Sequence, residues 1–403
     1  MEIVDPAVHG MSGERLARIR PWMQRYVDSG KLPGMQVLVA RGGQCVYHDY
    51  VGDRDMERGE PVTEDTIYRI YSMSKPITSV AVMMLYEQAA FQLDDPIEAY
   101  LPELADLEVF VSGTAESYDT VPAERSITIR DLLTHTSGLT YDFLDENPVV
   151  TLYAKNHIRH VFGRDDMSAF LGKLGSLPLV AQPGTEWNYS VSTDVLGCLV
   201  DRVSGKSFSA YLHDELFEPL GMTDTAFYVP EGKRERFAAC YHAIGGEVAL
   251  HDDPAQGRFL SPPAFESGGG GLVSTVSDYR RFAQMLLNRG ELDGTRLLGR
   301  KTVEYMVTNH LEGDMAAMGQ PSFSESNYEG IGFGLGGSVV IDAARSQTLQ
   351  SDGTFAWGGM ASTAFWIDPS EDMLAVLLTQ WVPSSTYPIR NELRTLVNAA
   401  LVD

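Results

Sequence analysis

The chain has 403 residues, 44% of them hydrophobic and 21% charged, which is the composition of an ordinary globular protein with material for a large core. That length suits roughly two to three domains, or one domain carrying a large insertion. Thirty-one Lys and Arg against 55 Asp and Glu leave a net charge of −24, a field that repels phosphate backbones and anionic lipid and so argues against nucleic-acid and membrane-surface binding.

Cys45, Cys198 and Cys240 are odd in number and lack a C-x-x-C pair, so they indicate neither a disulfide framework nor a zinc knuckle. The start, Met1-Glu2-Ile3-Val4-Asp5-Pro6, has no basic run and no apolar core of a signal peptide. No apolar run approaches the ~18 to 20 residues that cross a bilayer. A cytoplasmic location is the expectation.

In chain order, Ser12 caps an amphipathic helix in which Leu16, Ile19, Met23, Tyr26 and Val27 recur at helical spacing, ending near Gly30. Residues 35–40 and 45–51 read as strands joined by the hairpin turn Arg41-Gly42-Gly43. Residues 70–88 follow, and their second half is apolar on every side, the mark of a helix buried all round. Pro76 has no N–H and fits only the first turn, so this helix begins little earlier than Ser72. There the helix dipole and free N–H groups favour developing negative charge.

Lys75 rises from the same face as Ser72. A serine hydroxyl is a poor nucleophile until a base removes its proton, and a desolvated lysine is one of the few groups that can serve. The plainer alternative is an N-cap beside a solvated lysine. Against it, no other lysine of the chain has serine three positions before it, and an idle ammonium would be costly to bury in so apolar a helix.

Residues 95–130 form a polar connection to a short helix at 127–133, capped by Thr128. His135, between threonines and beside a glycine turn, reads as structural. Residues 148–225 are mostly helical in pattern, clearest at 168–174 and 207–217. His157 and His160 lie at i, i+3, but without the Glu of H-E-x-x-H they do not make a metal motif. Tyr189 lies on the connection between the Pro183-Gly184 turn and a helix at 193–203 that Ser192 would cap. Held there near Lys75, a phenol could relay the serine proton.

The run Gly268 to Gly271 is followed by no Gly-Lys-Ser/Thr, so it suits close backbone packing better than a phosphate cradle. Ser277 then caps a helix with Tyr279, Phe282, Ala283, Leu286 and Leu287 inward. Strands follow at 333–341, 346–350, 361–367 and 373–379, and a last helix at 388–401. The pattern predicts an antiparallel sheet built from both termini, residues 1–70 with 272–403. A mainly helical domain, 71–271, is inserted between them, with a cleft between the two.

Ser72-Met73-Ser74-Lys75, Tyr189-Ser190-Val191 and Trp357-Gly358-Gly359, in this order and at these separations, resemble the three motifs of the serine β-lactamase and penicillin-binding-protein superfamily. Runs 127–139, 216–222 and 268–275 resemble its class C-like branch, and the likeness spans roughly residues 12 to 400. Within that branch the chain looks closest to the family VIII carboxylesterases. The resemblance implies an α/β (α+β) fold, an antiparallel sheet flanked by helices with an inserted helical domain.

Penicillin-recognising members usually carry Tyr-x-Asn and Lys-Thr-Gly, whose amide and lysine grip the substrate's acylamide and carboxylate; Val191 and Trp357 stand at those places here. A neutral ester needs neither grip. Carried over, Ser72 would be the nucleophile and Lys75 with Tyr189 the base system, the true base of the two being open. The backbone N–H groups of Ser72 and Met360 would form the oxyanion hole, and Trp357, Gly358, Gly359 and Val191 the substrate site. No metal or organic cofactor is implied, and the partner would be a small-molecule ester, most simply a short-chain acyl ester.

No Gly-x-Ser-x-Gly occurs, so the α/β-hydrolase elbow is excluded as a pattern. An acyltransferase to an alcohol acceptor, a weak β-lactamase or D-amino-acid amidase, and a non-catalytic sensor are the alternatives. Oligomeric state is open.

Overall fold

The apolar runs near the two ends of the chain meet in one antiparallel sheet. A computed structural model describes residues 2–144, 147–158, 165–244, 247–323 and 326–403. In chain order the elements that matter for the site begin with helix α1 (Ile19–Asp28), strands β1 (Gly34–Arg41), β2 (Gln44–Asp55) and β3 (Glu60–Pro61), and helix α2 (Ser74–Glu87). Helices α3 (Ser192–Ser204) and α4 (Val276–Leu287) follow. Strands β4 (Ile331–Phe333), β5 (Ser338–Val340), β6 (Phe355–Gly358), β7 (Ala364–Asp368) and β8 (Met373–Leu378) precede helix α5 (Ile389–Asn398).

The eight strands lie in the order β4-β5-β6-β7-β8-β1-β2-β3. The ends of the chain join at its centre, where β1 pairs with β8 from Gln36↔Leu378 to Arg41↔Met373. Both strands are apolar almost throughout because the sheet is covered on both faces. Alternate residues then go to opposite sides. Met35, Val37, Val39, Ala375 and Leu377 pack with Ile19, Trp22 and Met23 of α1 and Ile389, Leu393 and Val397 of α5. Leu38, Ala40, Leu374, Val376 and Leu378 join the larger core that holds α2, α3 and α4.

Helix α2 has Ser74 through Leu85 buried, with Pro76 in its first turn. The expected mixed α/β fold, an antiparallel sheet flanked by helices, is thus present. The segment between the two sheet portions is mainly helical but also carries two hairpins, Glu108–Thr114 with Ser117–Pro122 and Cys240–Ile244 with Glu247–Asp252.

Several local expectations need correction. Ser12 does cap, accepting the Arg15 N–H, but the helix breaks after Leu16 and restarts at Ile19. Residues 333–341 are not one strand, because the glycines at 334, 336 and 337 turn the chain between β4 and β5. Residues 346–350 form no strand; the sheet position belongs to β6. Helix α4 is capped by Thr275, which accepts the Asp278 N–H, two residues before the expected Ser277. Ser192 opens α3 rather than capping it, and its hydroxyl bonds Ser137 and Ser190 instead. The three cysteines are free and buried. Among the described residues no helix is long and apolar enough to cross a membrane. Of the His157 and His160 pair, His160 lies outside the described residues.

Candidate active site

Between Thr66 and Leu85 only Ser72 is not buried. Backbone geometry explains why. Tyr71 sits at φ 42°, a left-handed conformation that bulky residues rarely adopt. Its buried ring, edge-on to Phe259, holds it there. The bend turns the chain through a single 3₁₀ turn, Tyr71–Met73, into α2 and brings Ser72 out at the helix mouth. Strain of this kind, of order 1–3 kcal/mol, concentrates at functional sites.

Lys75 is 1% exposed. Its ammonium donates to Ser72 Oγ at 3.2 Å and to the Gly269 carbonyl at 2.7 Å. The rings of Tyr189 and Tyr141 flank it, their centres 4.5 and 5.3 Å from Nζ. A buried ammonium requires acceptors of this sort, and the glycine run supplies the closest one. A Cβ at Gly268 would lie 2.5 Å from the Thr193 carbonyl, and one at Gly269 would lie 2.5 Å from Asp194 Oδ2. The run therefore packs tightly on α3, as the sequence suggested, and also delivers a carbonyl to the amine.

Asp194 anchors that run, and sequence reasoning missed it. Its Oδ1 accepts from Ser267 Oγ at 2.5 Å and from the Gly269 N–H at 3.1 Å. Burial pushes this carboxyl up, and the Lys75 charge and both hydrogen bonds oppose the rise. Its one sequence signal is an acidic residue in the first turn of a helix, just ahead of the mostly apolar run 195–200 and five positions after Tyr189.

The Tyr189 hydroxyl donates to Ser72 Oγ at 2.8 Å. Its segment is fixed by neighbours on both sides. The Asn188 N–H donates to the His135 carbonyl at 2.8 Å, and its side-chain amide donates to the Leu139 carbonyl at 2.6 Å. Trp187 lies nearly parallel to the Tyr189 ring, 11° off and 6.1 Å away. His135, at φ 57°, ends a helical turn and places Nδ1 3.0 Å from Ser190 Oγ. Burial, helped by the Lys75 charge, holds its pKa well below the usual imidazole range, so it stays neutral. This is the structural role read from its setting.

Ser72 and Tyr189 open onto a cleft of about 440 Å³. Trp357, on β6, forms part of its wall with Gly358, Gly359 and Met360. The indole stands perpendicular to Phe333 at 5.3 Å and packs on Tyr189 at 5.6 Å. Val191 is the candidate that the structure separates from the rest. It is fully buried and absent from the cleft lining, because the chain beyond Tyr189 turns immediately into α3 and carries Val191 into the core.

The arrangement brings Ser72, Lys75, Tyr189, Trp357, Gly358, Gly359 and Met360 together from three separate stretches. A hydroxyl held between an amine and a phenol, at a helix start beside an accessible cleft, is equipped for nucleophilic attack with proton relay.

Comparisons with known proteins agree in extent with this geometry. The family model described as Beta-lactamase matches residues 19–399. The chain is 32% identical over 395 residues to esterase EstB of Burkholderia gladioli, covering 93% of each. It is 29% identical over 401 residues to monacolin J acid methylbutanoyltransferase of Aspergillus terreus, again 93% of each. Among solved structures, EstCE1, described as a hydrolase with promiscuous acyltransferase activity, superimposes with a TM-score of 0.82 at 28% identity, covering 96% of this chain and 99% of that one. The chain therefore belongs to the β-lactamase family, on the fold that its serine hydrolases and acyltransferases share.

Proposed function

We propose that this protein hydrolyses carboxylic esters through an acyl-enzyme on Ser72. The observation that carries the reading is the placing of Ser72 Oγ 2.8 Å from the Tyr189 hydroxyl and 3.2 Å from the Lys75 amine, facing the cleft. Ser72 attacks the ester carbonyl and passes its proton to whichever member of the Lys75 and Tyr189 pair is unprotonated, the neutral amine or the phenolate. The alcohol leaves with that proton, and water then attacks the acyl-serine and restores the hydroxyl. The tetrahedral oxyanion of each step faces the backbone N–H groups of Ser72 and Met360.

Trp357 supports esters over β-lactams, since an indole offers no charge for a substrate carboxylate. The likeness to EstB supports the same choice. Short acyl chains suit a wall in which Trp357 and Tyr189 stand close to the nucleophile.

Transfer of the acyl group to an alcohol instead of water is a second reading, favoured by the methylbutanoyltransferase relative and by the dual activity for which EstCE1 is described. The two share every step up to the acyl-enzyme. The test is turnover of p-nitrophenyl acetate, butyrate and longer esters beside nitrocefin, for wild type and Ser72→Ala, with product analysis in the presence of a primary alcohol. Rapid ester cleavage that Ser72→Ala abolishes, with nitrocefin barely touched, supports the reading. Full activity in Ser72→Ala removes it, and ester products that form only with added alcohol turn it into transferase.

A further inference from the structure

We infer that Arg390 is a positioning residue for the oxyanion donor of Met360, acting through the peptide that joins Gly359 to Met360. The inference rests on the acyl-transfer reading above. Arg390 opens α5, and its Nη2 donates to the Gly359 carbonyl at 2.7 Å and to the Thr363 carbonyl at 3.0 Å. The Gly359 N–H donates to the same Thr363 carbonyl at 2.9 Å. The guanidinium thus closes the turn after β6 like a clasp.

Only one of those carbonyls shares a peptide plane with Met360. In a trans peptide the C=O and the next N–H point in opposite directions from one rigid plane. Fixing the Gly359 oxygen on Arg390 therefore fixes where the Met360 N–H points. That N–H has no hydrogen-bond partner among the described residues, and Met360 lines the cleft with Ser72.

The bond acts electronically as well. A charged donor on a carbonyl makes a stronger hydrogen bond than a neutral one. It draws electron density along the amide and strengthens the N–H at the other end, the cooperative effect seen in hydrogen-bond chains. An arginine remains charged throughout any accessible pH.

The two glycines of the motif fit this account. A Cβ on Gly358 would stand 2.6 Å from Arg390 Cζ, so a side chain there would push the guanidinium from its place under the turn. A Cβ on Gly359 would stand 2.3 Å from the Ile70 carbonyl, two residues before the nucleophile. The turn that carries the donor and the turn that carries Ser72 are in direct backbone contact.

The test compares p-nitrophenyl butyrate with its thionoester, using wild type, Arg390→Met, Arg390→Lys and Gly358→Ala, each checked by thermal melting. Thiocarbonyl sulfur is a weak hydrogen-bond acceptor, so the thionoester gains little from the oxyanion donors and the ratio of kcat/KM values reports on them. Loss of one whole donor costs about 10²- to 10³-fold, so weakening one in Arg390→Met should lower kcat on the ester about 10- to 100-fold with KM changed less than about threefold. The ester-to-thionoester ratio should fall by the same factor. Arg390→Lys should restore part of it, and Gly358→Ala should lose it with the arginine still present.

An unchanged ratio in folded Arg390→Met overturns the inference. So does a defect confined to KM for esters carrying a carboxylate, which would make Arg390 a substrate contact. If Arg390→Met does not fold, a wild-type ratio in both Arg390→Lys and Gly358→Ala overturns it equally. A wild type that fails to cleave the ester, or that treats ester and thionoester alike, removes the underlying oxyanion reading instead.

Discussion

The Tyr189 hydroxyl stands 2.8 Å from Ser72 Oγ, closer than the Lys75 nitrogen at 3.2 Å. Tyr189→Phe deletes that one oxygen and leaves the ring on Trp187 and His135. A positioned proton-transfer group contributes about 10²- to 10⁴-fold, so kcat for p-nitrophenyl butyrate should fall by that factor with KM little changed. Steady-state kinetics beside a melting curve check it. A loss under about tenfold would leave Lys75 as the sole base.

Gly269 connects the amine to the buried acid behind it. Its carbonyl takes the Lys75 proton donor at 2.7 Å, while its N–H is held by Asp194. Gly269→Ala puts a methyl group 2.5 Å from Asp194 Oδ2 and 3.0 Å from the Tyr141 hydroxyl, both fully buried side chains that cannot swing into solvent. The backbone must move away from Lys75. Overpacking of this kind costs about 1–3 kcal/mol, and the displaced amine should lower kcat at least about tenfold. Denaturant melts and kcat on the same preparation separate the two effects. A variant with lowered stability and wild-type kcat would show that the carbonyl does not set the amine.

The parts legible in the sequence were those whose signal is local. Ser72 and Lys75 are one helical turn apart, so a single period places both, and Pro76 fixes where the helix starts. The near-continuous apolar runs at 35–40 and 373–379 likewise mark strands covered on both faces. What stayed hidden depends on contacts between distant segments. Strand β6 has four residues ending at the glycine turn, too short for a period, and its place in the sheet comes from pairing with β7. The hairpin 108–122 is mostly exposed and lacks an apolar stripe. Asp194 looks like a routine first-turn acid until Gly269 is packed against it, and Arg390 looks like a surface arginine until the turn at Gly359 is folded beneath it. Val191 shows the converse error, since position in a motif does not fix which way a side chain faces.

Asp278 carries a pH dependence of stability. Its carboxylate is buried in the first turn of α4 and accepts from the Asp224 N–H at 2.7 Å and the Thr225 hydroxyl at 2.9 Å. Burial outweighs those bonds and pushes the pKa from an ordinary 3.8 up to about 6. Below pH 3.8 the group is protonated in both folded and unfolded chains, and its contribution is fully present. As pH rises the unfolded chain ionises first, so stability falls by about 1.4 kcal/mol per unit until the folded group also ionises near 6. The total is about 3 kcal/mol. Asp278→Asn keeps an acceptor oxygen and cannot ionise. Urea melts from about pH 4 to 7 should show wild type losing stability relative to Asp278→Asn across that window. A constant difference would mean the carboxyl titrates normally.

Trp357 is where shape should set specificity. The indole is 9% exposed, wedged between Phe333 and Tyr189, and forms wall of the cleft that Ser72 also lines. Trp357→Ala removes that wall and part of the support for the Tyr189 phenol. The cavity should lower stability by about 3 kcal/mol. The kinetic effect should depend on chain length. Short acyl esters lose contacts and orientation, so their kcat/KM should fall, while longer chains occupy the space vacated. Because each methylene in an apolar pocket is worth about 10- to 200-fold, the preference for butyrate over octanoate should shrink by at least about tenfold, read from kcat/KM across the p-nitrophenyl series. An equal loss at every chain length would instead make Trp357 a support for Tyr189 alone. Its Tyr189→Phe, Trp357→Ala double variant would then lose no more than Tyr189→Phe does, since a residue acting only through the phenol has nothing left to hold once the hydroxyl is gone.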